Sequence, residues 1–288
     1  MMSSPNPSLD LLRREIDTID AAIHDLIVKR GTIVEDIRKI KKQAGPALRP
    51  GREAMILRRL AAKHQGAFPL PALVCLWREM MGGFTHMQQP FSAAVCVSAG
   101  GEALIRLARD QYGSMTPLSE MPSASACIRA VAEGAVEIAV VPVPADGEDE
   151  SWWPLLMSSD QKAPQVVSRL PYLQERDSVE QALVIAPWGR DLSESEASLI
   201  AIRLGERTSR GRIVSGMEAA GFADPVTLST METDPENCFH VIEVAGGIGT
   251  DNSAVRALAA QFGAALYDAH VIGGYARPLV LSAKTGKN

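Results

Sequence analysis

Apolar and small residues recur along the first segment at Leu9, Leu12, Ile16, Ile19, Ile23, Leu26, Ile33, Ile37, Ile40 and Ala44. Steps alternating between three and four predict one long helix with a seam packed against other helices. Ser8 is the expected N-cap, Asp10 sits near the positive end of the helix dipole, and Gly45-Pro46 supplies the stop. At the helical rise per residue this element spans roughly 50 Å, longer than a small domain is wide, so a second chain is expected to cover it. One seam position breaks the pattern: Arg30 lies between Leu26 and Ile33. A guanidinium in an apolar seam is costly unless an anion meets it.

A second helix is predicted from Pro50 to about Ala62, with proline in its first turn. A third runs from about Pro71 to Gln88, with Leu73, Trp77, Met80, Phe84 and Met87 as its apolar stripe. From Phe91 the period changes. Ala93–Val97 and Ile138–Val143 read as strands, 102–111 and 124–133 as helices, which is α/β alternation. After an acidic loop at 144–150 and the Trp152-Trp153 pair, the last third reads strand, helix, strand, strand, helix, strand between Leu199 and Ile272. That βαββαβ order predicts a ferredoxin-like sandwich. The expected organisation is a helical domain over 1–90, an α/β domain over 91–187 and an α+β domain over 188–288.

At 288 residues the chain suits two or three domains, and its 46% apolar content allows sizeable cores. No run is long and apolar enough for a membrane span, and the start shows no export signal. Cys75, Cys96, Cys127 and Cys238 have no paired spacing, which suits isolated thiols in a reducing cytoplasm. Residues 1–90 hold 14 Lys and Arg against 9 Asp and Glu, while the remainder is net acidic. The cations of the helical part are interleaved with carboxylates and lack an aromatic stacking surface, which argues against nucleic acid. His86, His240 and His270 share no metal-ligand spacing. Trp152-Trp153 reads as packing, and Gly100-Gly101 as a strand–helix turn.

Arg30 has company. Lys41, eleven residues on, projects within about 20° of it around an ideal helix. Glu53 shares a face with Ile56, Leu57 and Leu60; Gln88 shares one with Trp77, Met81 and Phe84; Arg13 and Arg52 flank these positions. Each alone reads as a snorkelling cation or a capping carboxylate. Together, on three successive helices, they describe a cationic pocket with one carboxylate and one amide as hydrogen-bond partners. No nucleophile, metal cluster or His-centred dyad accompanies them, so the chemistry is the binding and orientation of a small polyanion.

Leu12-Arg13-Arg14-Glu15-Ile16-Asp17, Lys29-Arg30, Lys41, Arg52-Glu53 and Gln88 together resemble the all-helical class of chorismate mutase. The resemblance implies a three-helix bundle in an intertwined dimer, each site receiving an arginine from the other chain. Arg30 and the second chain's Arg13 would clamp the carboxylates of chorismate. Lys41 and Gln88 would hydrogen-bond the breaking ether oxygen, and Glu53 with Arg52 would hold the ring hydroxyl. Arg49 stands where some members carry an acidic residue, which alters the carboxylate or hydroxyl contacts. Met81-Gly82-Gly83-Phe84-Thr85 stands where a small polar residue is common. The implied rearrangement to prephenate, in phenylalanine and tyrosine biosynthesis, needs no cofactor; orientation and preorganised electrostatics are its levers.

The stretch from Leu76 to Val95 is similar to the junction of bifunctional chorismate mutase–prephenate dehydratases. Three dehydratase signatures are altered: Val97-Ser98-Ala99-Gly100-Gly101-Glu102, Val140-Val141-Pro142-Val143-Pro144-Ala145-Asp146 and Glu180-Gln181-Ala182. Residues 91–187 are therefore expected to be a shortened, degenerate dehydratase-like part. The terminal unit resembles an ACT regulatory domain at 238–246 and 271–278, which admits an aromatic amino-acid effector or a purely dimerising role. Its ligand motif reads Glu232-Thr233-Asp234-Pro235, without the arginine. The competing expectations are a bifunctional enzyme that keeps dehydratase activity and a non-catalytic sensor or scaffold. With every site residue before Pro90, a piece ending there is expected to keep an altered mutase activity.

Overall fold

The computed structural model describes residues 8–41, 45–98, 101–147, 151–160, 162–174, 180–189, 196–249 and 253–281. The chain divides into two compact units. One comprises Met1–Ala47 with Phe84–Pro90, and the other Leu48–Gly83 with Phe91–Asn288.

The first unit holds the predicted long helix, α1 (Leu9–Lys41), and the final residues of α3 (Leu70–Gln88). Ser8 begins α1 as expected: its carbonyl accepts from the amides of Leu11 and Leu12, and its Oγ accepts from Leu11 at 3.4 Å. Where α1 meets the end of α3 it does so through a small residue. Gly31 lies near the side chains of Phe84 and Met87, and Arg38 donates to the Met87 carbonyl at 3.3 Å. Along the rest of α1 the apolar seam is uncovered: Leu12, Ile16, Ile19, Ile23, Leu26, Ile33, Ile37 and Ile40 expose between 40% and 83% of their surface.

The second unit begins with α2 (Pro50–Lys63), whose proline stands in the first turn, and the greater part of α3. These helices bury Ala54, Leu57, Val74 and Met81 around Tyr172. Parallel strands follow: β1 (Ala93–Cys96), β2 (Leu118–Met121) and β3 (Ile138–Pro142), with α4 (Glu102–Tyr112) and α5 (Ala124–Ala132) as crossovers. Ser123 caps α5 by accepting from the Ala126 amide. Trp152 and Trp153 are fully buried in the core, the second edge-on to Phe239. The sequence pattern misses β2, β4 (Gln165–Leu170), β5 (Leu173–Gln174) and β6 (Ala182–Ala186).

The last third has the predicted order: β7 (Ala197–Leu204), α6 (Arg210–Ala219), β8 (Ala223–Asp234), β9 (Asn237–Ala245), α7 (Ser253–Phe262) and β10 (Leu266–Tyr275), followed by the short β11 (Leu279–Val280) beside β5. Its four long strands are antiparallel in the order β10-β7-β9-β8, the arrangement of a split βαβ sandwich. They continue the earlier sheet without a break, giving nine strands in the order β2-β1-β3-β6-β4-β10-β7-β9-β8. The seam is the parallel contact of Gly273 on β10 with Val166 on β4. Gly273 has φ +145, and a Cβ there would lie 2.3 Å from the Val166 carbonyl oxygen, so only glycine fits. Across this seam Arg169 donates to Glu243 at 2.8 Å and to the Tyr275 hydroxyl at 2.9 Å.

Three contacts sew α3 and α2 to the end of α4. The Glu79 carboxylate accepts from the Ser114 amide at 2.9 Å and from its hydroxyl at 2.6 Å. Gly82 faces the Tyr112 carbonyl so closely that a Cβ would stand 2.3 Å from the oxygen. Gln111 donates to Glu53 of α2 at 3.4 Å. Because backbone rather than a flexible side chain opposes Gly82, Gly82→Ala is expected to destabilise the chain by about 1–3 kcal/mol. Urea unfolding checks this, and an unchanged midpoint contradicts it.

Candidate active site

In the first unit, Arg30 and Gln88 converge on one aromatic ring and its backbone. The Arg30 guanidinium carbon lies 4.8 Å from the centre of the Phe84 ring, a cation–π contact that answers part of the cost of a cation in the seam. The Gln88 amide donates to the Phe84 carbonyl at 3.2 Å, one turn back on α3. Arg13 is exposed and reaches Asp10 at 3.5 Å. Seventeen residues of helix separate Arg13 from Arg30, roughly 25 Å along the axis, so the two cannot grip one small molecule from the same helix. Lys41 is the last residue of α1, and its side chain lies outside the described residues.

In the second unit, Arg49 occupies the N-cap of α2 without a side-chain cap bond, and Arg52 is exposed in the first turn. Glu53 differs. Its carboxyl is drawn inward against Gln111, Tyr112 and Arg78, as its place on the apolar face of α2 predicts. Burial pushes this carboxyl up to about 7, while the Arg78 charge and the Gln111 amide pull it down and only partly offset the desolvation. The same interior lowers Arg78 through burial, with Glu53 opposing, and raises the Tyr112 hydroxyl. Arg78 is 6% exposed, and its two terminal nitrogens have no hydrogen-bond partner. Arg78 and Gln111 also line a cavity of about 140 Å³ with Val74, Leu107 and Tyr172.

A wider cleft of about 490 Å³ opens where β1 runs into α4, lined by Val97, Ser98, Gly101, Glu102, Arg106, Glu120 and Glu180. The stretch from Val97 to Glu102 and Glu180 thus meet at the carboxyl edge of the parallel strands, where α/β sheets hold ligands. Ala99 and Gly100 lie outside the described residues. Arg106 is engaged by Glu180 at 3.0 Å, leaving Glu102 and Glu120 as further carboxylates on the wall. Among the described residues no group of His, Cys, Asp and Glu is arranged to hold a metal ion, and no helix is long and apolar enough to cross a membrane.

The sequence pattern identified Glu53 but not the three residues around it. Arg78 sits among apolar neighbours on α3, and its burial depends on α4 packing against that face. Gln111 and Tyr112 end an ordinary amphipathic helix; the close Gly82–Tyr112 approach that brings them to α2 leaves no local signal.

The raised Glu53 carboxyl carries a sign. Between its ordinary value of 4.5 and about 7 the folded chain holds a proton that the unfolded chain has lost. Stability therefore falls as pH climbs through that window, by about 3 kcal/mol in full. Urea midpoints at pH 5 and pH 8 are expected to show this fall in the native chain and not in Glu53→Gln. An equal fall in both contradicts it.

The profile of the family described as chorismate mutase type II matches residues 12–89. Among curated proteins, the bifunctional chorismate mutase/prephenate dehydratase of Stutzerimonas stutzeri is 29% identical over 92 residues, covering 30% of this chain and 25% of its own length. Its namesake from Pseudomonas aeruginosa is 30% identical with the same coverages. That of Neisseria gonorrhoeae is 34% identical over 82 residues, covering 28% and 22%. The chain thus spans about a quarter of the length of the curated relatives it matches. Among solved structures, GqqA, described as a novel type of quorum quenching acylase, has a TM-score of 0.44 at 13% identity, covering 64% of this chain and 94% of its own. A Streptococcus mutans prephenate dehydratase has a TM-score of 0.43 at 13% identity, covering 66% and 100%. Residues 12–89 are a chorismate mutase type II domain.

Proposed function

We propose that the chain is a homodimeric chorismate mutase that converts chorismate to prephenate without a cofactor. The observation that carries this reading is the family match over 12–89, within which Arg30 stands in an apolar seam over Phe84. Chorismate carries two carboxylates, a ring hydroxyl and an enol ether. Arg30 binds one carboxylate, and Arg13 of the other chain completes the clamp. Lys41 and the Gln88 amide meet the ether oxygen as negative charge develops there, the point at which binding must be stronger in the transition state than in the ground state. Gln88 releases the Phe84 carbonyl to do so. Glu53, Arg52 and Arg49 hold the ring hydroxyl side. Holding the side chain over the ring supplies the rest, since a pericyclic step needs no proton transfer.

The dimer has its own support. The uncovered seam of α1 and the separation of Arg13 from Arg30 along one helix both call for a second copy. Prephenate dehydration lies outside the proposed activity: the cleft beside α4 carries Glu102, Glu120 and Glu180 against the single Arg106, a field that repels a dicarboxylate. The terminal βαββαβ unit serves assembly in this reading. Its Glu232 is engaged by Arg207, and a rate unchanged by phenylalanine and tyrosine is the expected result. Four free cysteines, three of them buried, suit a reducing cytoplasm.

Loss of chorismate absorbance tests the activity. The native chain is expected to turn over, and Arg30→Ala to lose roughly a hundredfold or more in kcat/KM. A silent native chain, or an Arg30→Ala that keeps pace, overturns the reading. Light scattering on the eluted peak tests the dimer: the native chain is expected at twice its 30.9 kDa mass, and Ile23→Asp, in the middle of the seam, at a smaller apparent mass. A native monomer contradicts it.

A further inference from the structure

The part of the chain that follows the mutase domain touches one of the domain's own polar residues. Gln111, near the end of α4, is 9% exposed, and its amide donates to the Glu53 carboxyl at 3.4 Å. This contact rests on a fixed scaffold. Glu79 accepts both the amide and the hydroxyl of Ser114, three residues beyond Gln111. The Tyr112 carbonyl lies against Gly82, where no side chain would fit. Two attachments on α3, one turn apart, therefore set where α4 ends, and that end delivers Gln111 to α2.

Gln111 and Tyr112 reach Glu53 from α4, and Arg78 faces it from α3. Beyond Arg78 lie Cys75 and Tyr172, while Asp110 lines the same small cavity as Arg78 and Gln111. Arg78 offers charge but makes no hydrogen bond through its terminal nitrogens. The Gln111 amide therefore gives this carboxyl its directional contact.

We propose that Gln111 is a positioning residue for Glu53, so that the segment after the mutase domain holds and orients the carboxyl that meets the ring hydroxyl of the substrate. The proposal rests on the chorismate mutase reading above. It gives the degenerate α/β part a present function: its own cleft has lost its signatures, while the end of its first helix supports chemistry carried out by α2. An amide that donates to a carboxylate favours the ionised form. Removing the donor raises the pH at which Glu53 ionises, and replacing it with a second carboxylate raises that pH further.

Two readouts on the full chain test this. The first is the carboxyl carbon resonance of Glu53 in glutamate-labelled protein, assigned with Glu53→Gln. The second is the pH profile of kcat/KM for chorismate. In Gln111→Met, close in volume but without the donor, the Glu53 midpoint is expected to rise by about half to one pH unit, and in Gln111→Glu by more. The acidic limb of the rate profile is expected to follow in the same order. Ser114→Ala loses the hydroxyl but keeps the backbone amide that Glu79 accepts and every group that faces Glu53, and is expected to leave both readouts in place. Midpoints that coincide in the native chain and both Gln111 variants overturn the proposal. So does a moved resonance with an unmoved rate profile. A native chain that leaves chorismate intact overturns the mutase reading instead, and the resonance still decides whether Gln111 governs the carboxyl.

Discussion

The second unit depends on a carboxyl and a guanidinium enclosed together. Glu53 and Arg78 come from successive helices; Arg78 is buried and Glu53 half-buried, its carboxyl turned inward where α2, α3 and α4 meet. Neither could be buried alone without a penalty of several kcal/mol, and the Arg78 nitrogens do not close a direct ion pair. What keeps the groups together is packing imposed from outside: the Glu79–Ser114 bonds and the bare backbone of Gly82 against Tyr112. Those contacts make α2 and the greater part of α3 belong with the sheet rather than with α1, which is the division the fold adopts.

The same contacts tie the α/β segment to α2 and α3. Its strands, crossovers and helix ends form a continuous scaffold. Among the described residues the cleft beside α4 is lined by three glutamates and by Arg106, which Glu180 engages. The terminal βαββαβ strands extend this scaffold through the seam at Gly273, where Arg169, Glu243 and Tyr275 share hydrogen bonds.

The features legible in the sequence are those with local causes. Pro50 begins α2, Ser8 begins α1, and the apolar period of Ser253–Phe262 marks α7 because each acts within a turn or two of chain. The missed strands owe their existence to distant partners. Leu118-Ser119-Glu120-Met121 is short and half polar, and becomes β2 only through pairing with β1. Ala182–Ala186 is an apolar run too short to classify alone; it is β6 because β3 and β4 flank it. The site divides the same way. Arg30, Glu53 and Gln88 stand out as polar residues on apolar faces, whereas Arg78 and Gln111 acquire their roles from the approach of α3 to α4, which no periodicity encodes.

The central claim is that this fold rearranges chorismate and stops there. Proton NMR of chorismate incubated with the 288-residue chain tests it most directly, because substrate and both candidate products are read in one spectrum. The account predicts that chorismate resonances give way to those of prephenate, which accumulates without further enzyme-dependent change. Chorismate that decays no faster than in buffer, or phenylpyruvate that grows in at the expense of prephenate, would contradict it.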